Sequence, residues 1–234
     1  LKQKVSTAPN HGTVIEGESN MKARYISAGV LMAAGMLAVG LHQTGTSIGP
    51  AQAVAADSKH TFAVHGIGAM SCNQMTTGLQ NQDPAMRGAL ASWMFGYVSA
   101  INRSDSGVYD MTPVQEQAAL VNMVVGVCQK HQTTPVESVV DAVFQVLGKA
   151  KLTTESPDIV VSVAKNNAII RQATLQQLQQ VLVAKKYMPS SAANGTFGPV
   201  TQAALVKYQA AEHLPQTGVP DAATIVRALV ETPS

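Results

Sequence analysis

From Leu175 onward, apolar positions recur at helical spacing and are cut by short glycine- and proline-marked turns. Leu175, Leu178 and Leu182 fall on one stripe, with glutamines and lysines filling the other positions, which predicts an amphipathic helix. Asn194-Gly195 is a turn dipeptide, and Gly198-Pro199 reads as a helix start, since proline at the first helical position loses no needed N–H. Thr201, Ala204, Leu205 and Tyr208 make the next stripe. Leu214-Pro215-Gln216-Thr217-Gly218 ends it, and Pro220-Asp221 opens a third helix with Ile225, Ala228 and Leu229 on its apolar side. An aspartate there suits the positive end of the helix dipole.

The middle of the chain carries the same period less evenly. Met86, Leu90, Trp93 or Met94, and Tyr97 form one stripe. Pro113 is expected to open a helix over Val114–Gln129, lined by Leu120, Met123, Val124 and Val127. Pro135 is expected to open another over Val136–Leu147, lined by Val139, Val140, Val143 and Leu147. The polar stretch from Asn102 to Tyr109 reads as a loop. Ser156-Pro157-Asp158 looks like a further helix start, with serine as cap and proline first. Beyond it, Ile159 to Ile170 mixes β-branched residues with Asn166-Asn167; helix and strand both stay open, with a connecting helix favoured. The pattern predicts an all-α chain with a helical domain at 60–148, a linker at 149–172 and a three-helix module at 173–234.

Before these lies an export-like segment. Met21-Lys22-Ala23-Arg24 is basic, Ile26 to Leu41 is uncharged and apolar, and Ala51-Gln52-Ala53 is an A-x-A site. That order is a secretory signal peptide, placed at 21–56. Sixteen helical residues span roughly 24 Å, a little short of the bilayer core. An uncleaved membrane anchor is the alternative, because the stretch from Leu41 to Ala53 is long for a cleavage region. Residues 1–20 precede a natural-looking start at Met21 and are expected to be an unfolded or mis-called extension.

Composition narrows the function classes. Residues 60–148 carry three Lys/Arg against six Asp/Glu, and residues 149–234 carry eight against five, a split of −3 and +3. A mildly basic C-terminal half suits an anionic polymer, and it is far too weak to indicate nucleic acid. The two cysteines, Cys72 and Cys128, read as one disulfide in an exported chain. Two cysteines without a histidine at ligand spacing make no zinc shell, so neither a metal nor a cofactor is expected. The chain contains no H-E-x-x-H run and no serine nucleophile elbow, and its six histidines are scattered, so no catalytic residue is assigned.

The C-terminal residues resemble the three-helix peptidoglycan-binding domain family, of the type called domain 1. The likeness rests on Leu175, Leu178-Gln179, Tyr187, Gly195, Phe197-Gly198, Thr201, Tyr208-Gln209, Leu214, Gly218-Val219 and Thr224, in that order. Lys186 stands where the family has glycine, Asn194 where it has aspartate and Tyr208 where it has phenylalanine. All three changes are mild for the fold; the one at Asn194 bears most on ligand contact. The resemblance implies peptidoglycan as partner, with Gln179, Tyr187, Asn194, Gly198, Thr201 and Gln209 as candidate contacts. Phe197, Tyr208 and the leucines read as core, and Gly195, Gly198 and Thr201 also have sufficient roles as turn and capping residues.

Residues 60–148 resemble the HdeA/HdeB-like family of small periplasmic helical proteins. The likeness rests on Trp93-Met94-Phe95-Gly96-Tyr97 with Asn102, followed by Cys128 on a helix. Members of that family include acid-stress chaperones. The expected protein is therefore all-α: a small disulfide-bonded helical domain followed by a peptidoglycan-binding module. Its expected function is non-catalytic, exported and periplasmic or otherwise wall-associated, anchoring an interaction domain for a protein partner or client. A wall-tethered acid-stress chaperone is the alternative, and an accessory part of a cell-wall hydrolase is the third reading.

Overall fold

The computed structural model describes residues 13–16, 61–81 and 83–231. The signal segment and its alternative as an anchor fall on 21–56, outside the described residues. Among the described residues, no helix is long and apolar enough to cross a membrane. The chain divides into two compact units, Leu1–His65 and Gly66–Ser234. In the first, strand β1 (Thr13–Glu16) pairs antiparallel with β2 (Thr61–Val64), Thr13 opposite Val64. Residues 13–16 lie in the 1–20 stretch expected to be an unfolded or mis-called extension, and they are extended strand. The run Thr13-Val14-Ile15 is β-branched throughout, which suits a strand.

The second unit is mostly helical. Helices α1 (Cys72–Gln80), α2 (Pro84–Ser104), α3 (Gln117–Cys128) and α4 (Val136–Leu147) come first. A hairpin of β3 (Asp158–Val163) and β4 (Asn166–Arg171) follows. Helices α5 (Gln172–Ala184), α6 (Pro199–Ala211) and α7 (Ala222–Leu229) close the chain. One apolar cluster runs from Ile67 through Met75, Leu90, Val124, Phe144, Ile170 and Leu175 to Ile225 and Val230, so the core is continuous across the unit. A second cluster of Leu178, Leu182, Leu205, Tyr208 and Ala228 fills the space between the last three helices.

The start signals work locally. Ser71 and Gln74 form a capping box: the Gln74 N–H donates to Ser71 Oγ at 3.2 Å, and the Ser71 N–H donates to Gln74 Oε1 at 2.9 Å. Asp83 caps α2 by accepting from the Ala85 N–H at 2.9 Å. Cys72 at the start of α1 and Cys128 at the end of α3 are joined by a fully buried disulfide, with Cα atoms 4.9 Å apart. On α2, Trp93 and Tyr97 stack at 5.3 Å, and the Tyr97 hydroxyl donates to Asp141 Oδ1 at 2.7 Å. Burial, then the bond to Asp141 and its charge, push the Tyr97 hydroxyl far above its usual range, so it stays protonated.

Three expectations are corrected. Pro113 does not open a helix; α3 begins only at Gln117. The Thr112 hydroxyl accepts from the Val114 N–H at 3.1 Å and the Asp110 carboxylate accepts from the Thr112 N–H at 3.2 Å, which holds Val114 in a buried turn. Ser156 does cap a helix, but a distant one: its buried Oγ accepts from the Ala173 N–H of α5 at 2.9 Å. Residues 158–171 form the hairpin in place of a connecting helix, with Asp158 opposite Arg171 and Val163 opposite Asn166. Its faces alternate, Val161, Ala168 and Ile170 inward, Val160 and Ile169 outward.

Arg171 joins the two halves of this unit. Its Nε donates to Asp110 Oδ2 at 3.0 Å, and its Nη1 reaches the Ser156 carbonyl at 3.1 Å and Asp158 Oδ1 at 3.3 Å. The Tyr109 ring lies 5.3 Å from the guanidinium carbon. Burial alone would lower the guanidinium, but the hydrogen bond and charge of Asp110, with Asp158 beside it, raise it further above its already high range. Asp110 is almost fully buried and also accepts from Gln115 at 3.0 Å. Removing one partner of such a pair leaves a charge without its counterion. Arg171→Ala is expected to cost about 3 kcal/mol in urea unfolding. Arg171→Lys should recover little of it, because one ammonium replaces a fork with three acceptors. A loss below about 1 kcal/mol would show that the joint is not holding the halves together.

Candidate functional site

The C-terminal helices are tied by one device used twice. On α5, the buried Gln179 side chain accepts from the Gly195 N–H at 2.7 Å. It donates to the Thr196 carbonyl at 2.9 Å and to Thr201 Oγ1 at 3.0 Å. On α6, the buried Gln209 side chain accepts from the Gly218 N–H at 2.9 Å. It donates to the Val219 carbonyl at 3.0 Å and to Thr224 Oγ1 at 2.9 Å. Each glutamine therefore binds a glycine N–H, the next carbonyl, and the threonine six residues beyond the glycine. Both glycines have left-handed backbone, φ +74° at Gly195 and +69° at Gly218, which a side chain would strain. The result is two stiff loops, each leading into a helix: Gly198-Pro199 starts α6, and Asp221 caps α7 by accepting from the Thr224 N–H at 2.9 Å.

The helix ends repeat as well. The Tyr187 N–H donates to the Leu182 carbonyl at 2.8 Å, and the Leu214 N–H to the Gln209 carbonyl at 2.8 Å. Together with the bonds from Lys186 to Val183 and from His213 to Ala210, these are Schellman endings. Lys186 (φ 62°) and His213 (φ 57°) occupy the left-handed positions where glycine is favoured. Lys186→Gly is therefore expected to raise stability by about 0.5–1 kcal/mol in thermal or urea unfolding, the strain relieved being partly offset by greater freedom of the unfolded chain.

The structure separates the six candidate contacts. Gln179, Thr201 and Gln209 are fully or almost fully buried and spend polar atoms on their own module, where they shape the loops. Asn194 is exposed, with Oδ1 accepting from the Thr196 N–H at 2.9 Å, beside the first stiff loop. Gly198 is half-buried on that loop, and Tyr187 is half-buried with its ring edge-on to Tyr208 at 6.4 Å. Lys185 crosses from α5 to Glu212 at 3.2 Å.

Clefts open on this unit among the described residues. One, of about 210 Å³, is mainly apolar and lies between Val114, Ala168, Ile169 and Ala222. Another, of about 220 Å³, is polar; Gln176, Gln177 and Gln180 of α5 face Lys151, Thr153 and Thr154 across it. None of these residues was singled out from the sequence. The available signal was the row of glutamines at i, i+1 and i+4, whose polar face looks like an ordinary solvated one.

Residues 171–227 match the family model described as putative peptidoglycan binding domain. Both glutamine-held loops lie within the matched stretch, which is about a quarter of the chain. The C-terminal module is a peptidoglycan-binding domain by that match. No curated protein matches the chain, and neither does a solved structure. The likeness of the middle helices to HdeA/HdeB-like proteins rests on their residues alone.

Proposed function

We propose that this chain, with a peptidoglycan-binding domain at its C-terminus, is an exported, non-catalytic protein that holds the disulfide-bonded helical domain at the cell wall. The family match at 171–227 is the observation that carries this reading. Exposed Asn194, half-buried Gly198 on the same loop and half-buried Tyr187 after α5 are the module's proposed wall-facing residues. Export rests on the basic, apolar and A-x-A pattern of 21–56, and the net +3 charge of residues 149–234 favours an anionic polymer. The continuous core supports a fixed platform: the helices that carry Cys72 and Cys128 are held against the module through the Asp110–Arg171 joint. Those helices are the proposed contact for a periplasmic protein partner.

Pelleting tests the reading. The purified chain should sediment with insoluble peptidoglycan and stay in solution with cellulose, and it should leave a wall-containing gel unlysed. A chain that stays in solution with peptidoglycan contradicts wall binding; clearing of the gel contradicts the non-catalytic assignment.

A further inference from the structure

We propose that the polar cleft between α5 and residues 151–154 binds the peptide stem of peptidoglycan rather than its glycan; this rests on the wall-binding reading above. The lining is made of groups that match a peptide. Gln177 and Gln180 offer primary amides from adjacent helical turns in the geometry of a backbone amide, and Gln176, whose Nε2 donates to the Ala193 carbonyl at 3.5 Å, adds its amide oxygen. Thr153 and Thr154 add hydroxyls from the facing wall, and Lys151 supplies a cation for a stem carboxylate. No aromatic side chain is among the described residues that line it, so a sugar ring would find no stacking platform there.

Two further observations point to a ligand. The Gln177 Oε1 is shut off from solvent and has no hydrogen-bond partner among the described residues, a state that costs free energy. Its terminal torsion is soft, so rotation of the amide is inexpensive. The facing wall is also held in place. The Leu152 N–H donates to the Asp110 carbonyl at 2.9 Å, and the Tyr109 N–H donates to the Leu152 carbonyl at 2.8 Å. Ser156 caps α5 beside Ala173, which lies in the cleft floor. A ligand therefore meets two walls whose backbone is already ordered. The cleft needs residues on both sides of the hairpin, so it belongs to this chain's combination of domain and module rather than to the module alone.

The test is a titration of the isotope-labelled full chain, followed by NMR. One probe is a synthetic stem peptide of alternating L and D residues ending in D-alanine; the other is peptide-free wall glycan. The peptide should shift the side-chain amides of Gln176, Gln177 and Gln180 and the backbone of Thr153 and Thr154, and the glycan should leave them unmoved. The double variant Lys151→Ala, Gln180→Ala changes two exposed residues and should weaken peptide binding by about ten-fold or more with an unchanged melting temperature. Peptide shifts that map elsewhere, glycan shifts at these residues without peptide shifts, or an unchanged affinity in the variant overturn the proposal. If the chain still pellets with insoluble peptidoglycan in that case, wall binding stands and only the stem-peptide site is removed. If it pellets with nothing, both fall.

Discussion

Truncating Gln209 to alanine is expected to lower the unfolding free energy by about 4 kcal/mol in urea titration, a large share of a small domain's stability. The side chain accepts from the Gly218 N–H and shares its two N–H groups among Thr217 Oγ1, the Val219 carbonyl and Thr224 Oγ1, all at 2.9–3.0 Å. Each net bond contributes about 1 kcal/mol, and the Gly218 N–H left buried without an acceptor costs about 1–3 kcal/mol more. Gln209→Met separates this from packing, because it keeps the volume and loses the polar atoms. The methionine variant should stay at least about 2 kcal/mol below the parent. A methionine variant as stable as the parent would show that Gln209 acts by filling space. Wall binding should fall with stability in both variants, since the loop from Thr217 to Asp221 would no longer be held.

Removing the disulfide should have an effect of similar size on the other side of the molecule. Cys72 and Cys128 close a loop with a sequence separation of 56 residues, which in the chain-entropy model stabilises by about 4 kcal/mol. The Cys72→Ala, Cys128→Ala double variant should lose that much in chemical denaturation, with an added cost for the small cavity in a site with no exposure. Native chain treated with thiol reductant should keep its bond until denaturant opens the helices, because neither sulfur is reachable. A double variant within about 1 kcal/mol of the parent would mean that α1 and α3 are held by packing of Met75, Leu120 and Val124 without need of the link.

Much of this architecture was legible because local and long-range signals agreed. Pro199 starts a helix, Asp221 caps one, and the stripes at Leu175, Leu178 and Leu182 and at Val139, Val140 and Leu147 do enter the core, with Val143 half-buried beside them. The misses share one cause: a residue with a familiar local meaning whose partner is far away in sequence. Ser156 has the chemistry of an N-cap, and nothing nearby shows that its helix begins 16 residues later at Gln172. The hairpin escaped because its two-residue turn is Ala164-Lys165, with Ala164 at φ 52°; the usual Asn-Gly or glycine signal is absent. Pro113 failed as a helix start because Asp110 and Thr112 capture the backbone first.

The site was legible in its frame and opaque in its contacts. The family pattern pointed at Gln179, Thr201 and Gln209 because those residues determine the loops, and residues that determine loops are buried. Exposed positions such as Gln176, Gln180 and Lys151 carry no periodic or geometric signature of their own. Their role depends on a wall brought in from residues 151–154, and that wall is set by the Asp110–Arg171 joint, which links positions 61 residues apart.

The C-terminal module is the part proposed to meet the wall. Hydrogen–deuterium exchange of the full chain, with and without soluble peptidoglycan fragments, tests this directly. Fragments should slow exchange within residues 171–229 and the 151–154 wall and leave α1 to α4 unchanged. Protection confined to residues 72–147, with none in 171–229, would contradict it.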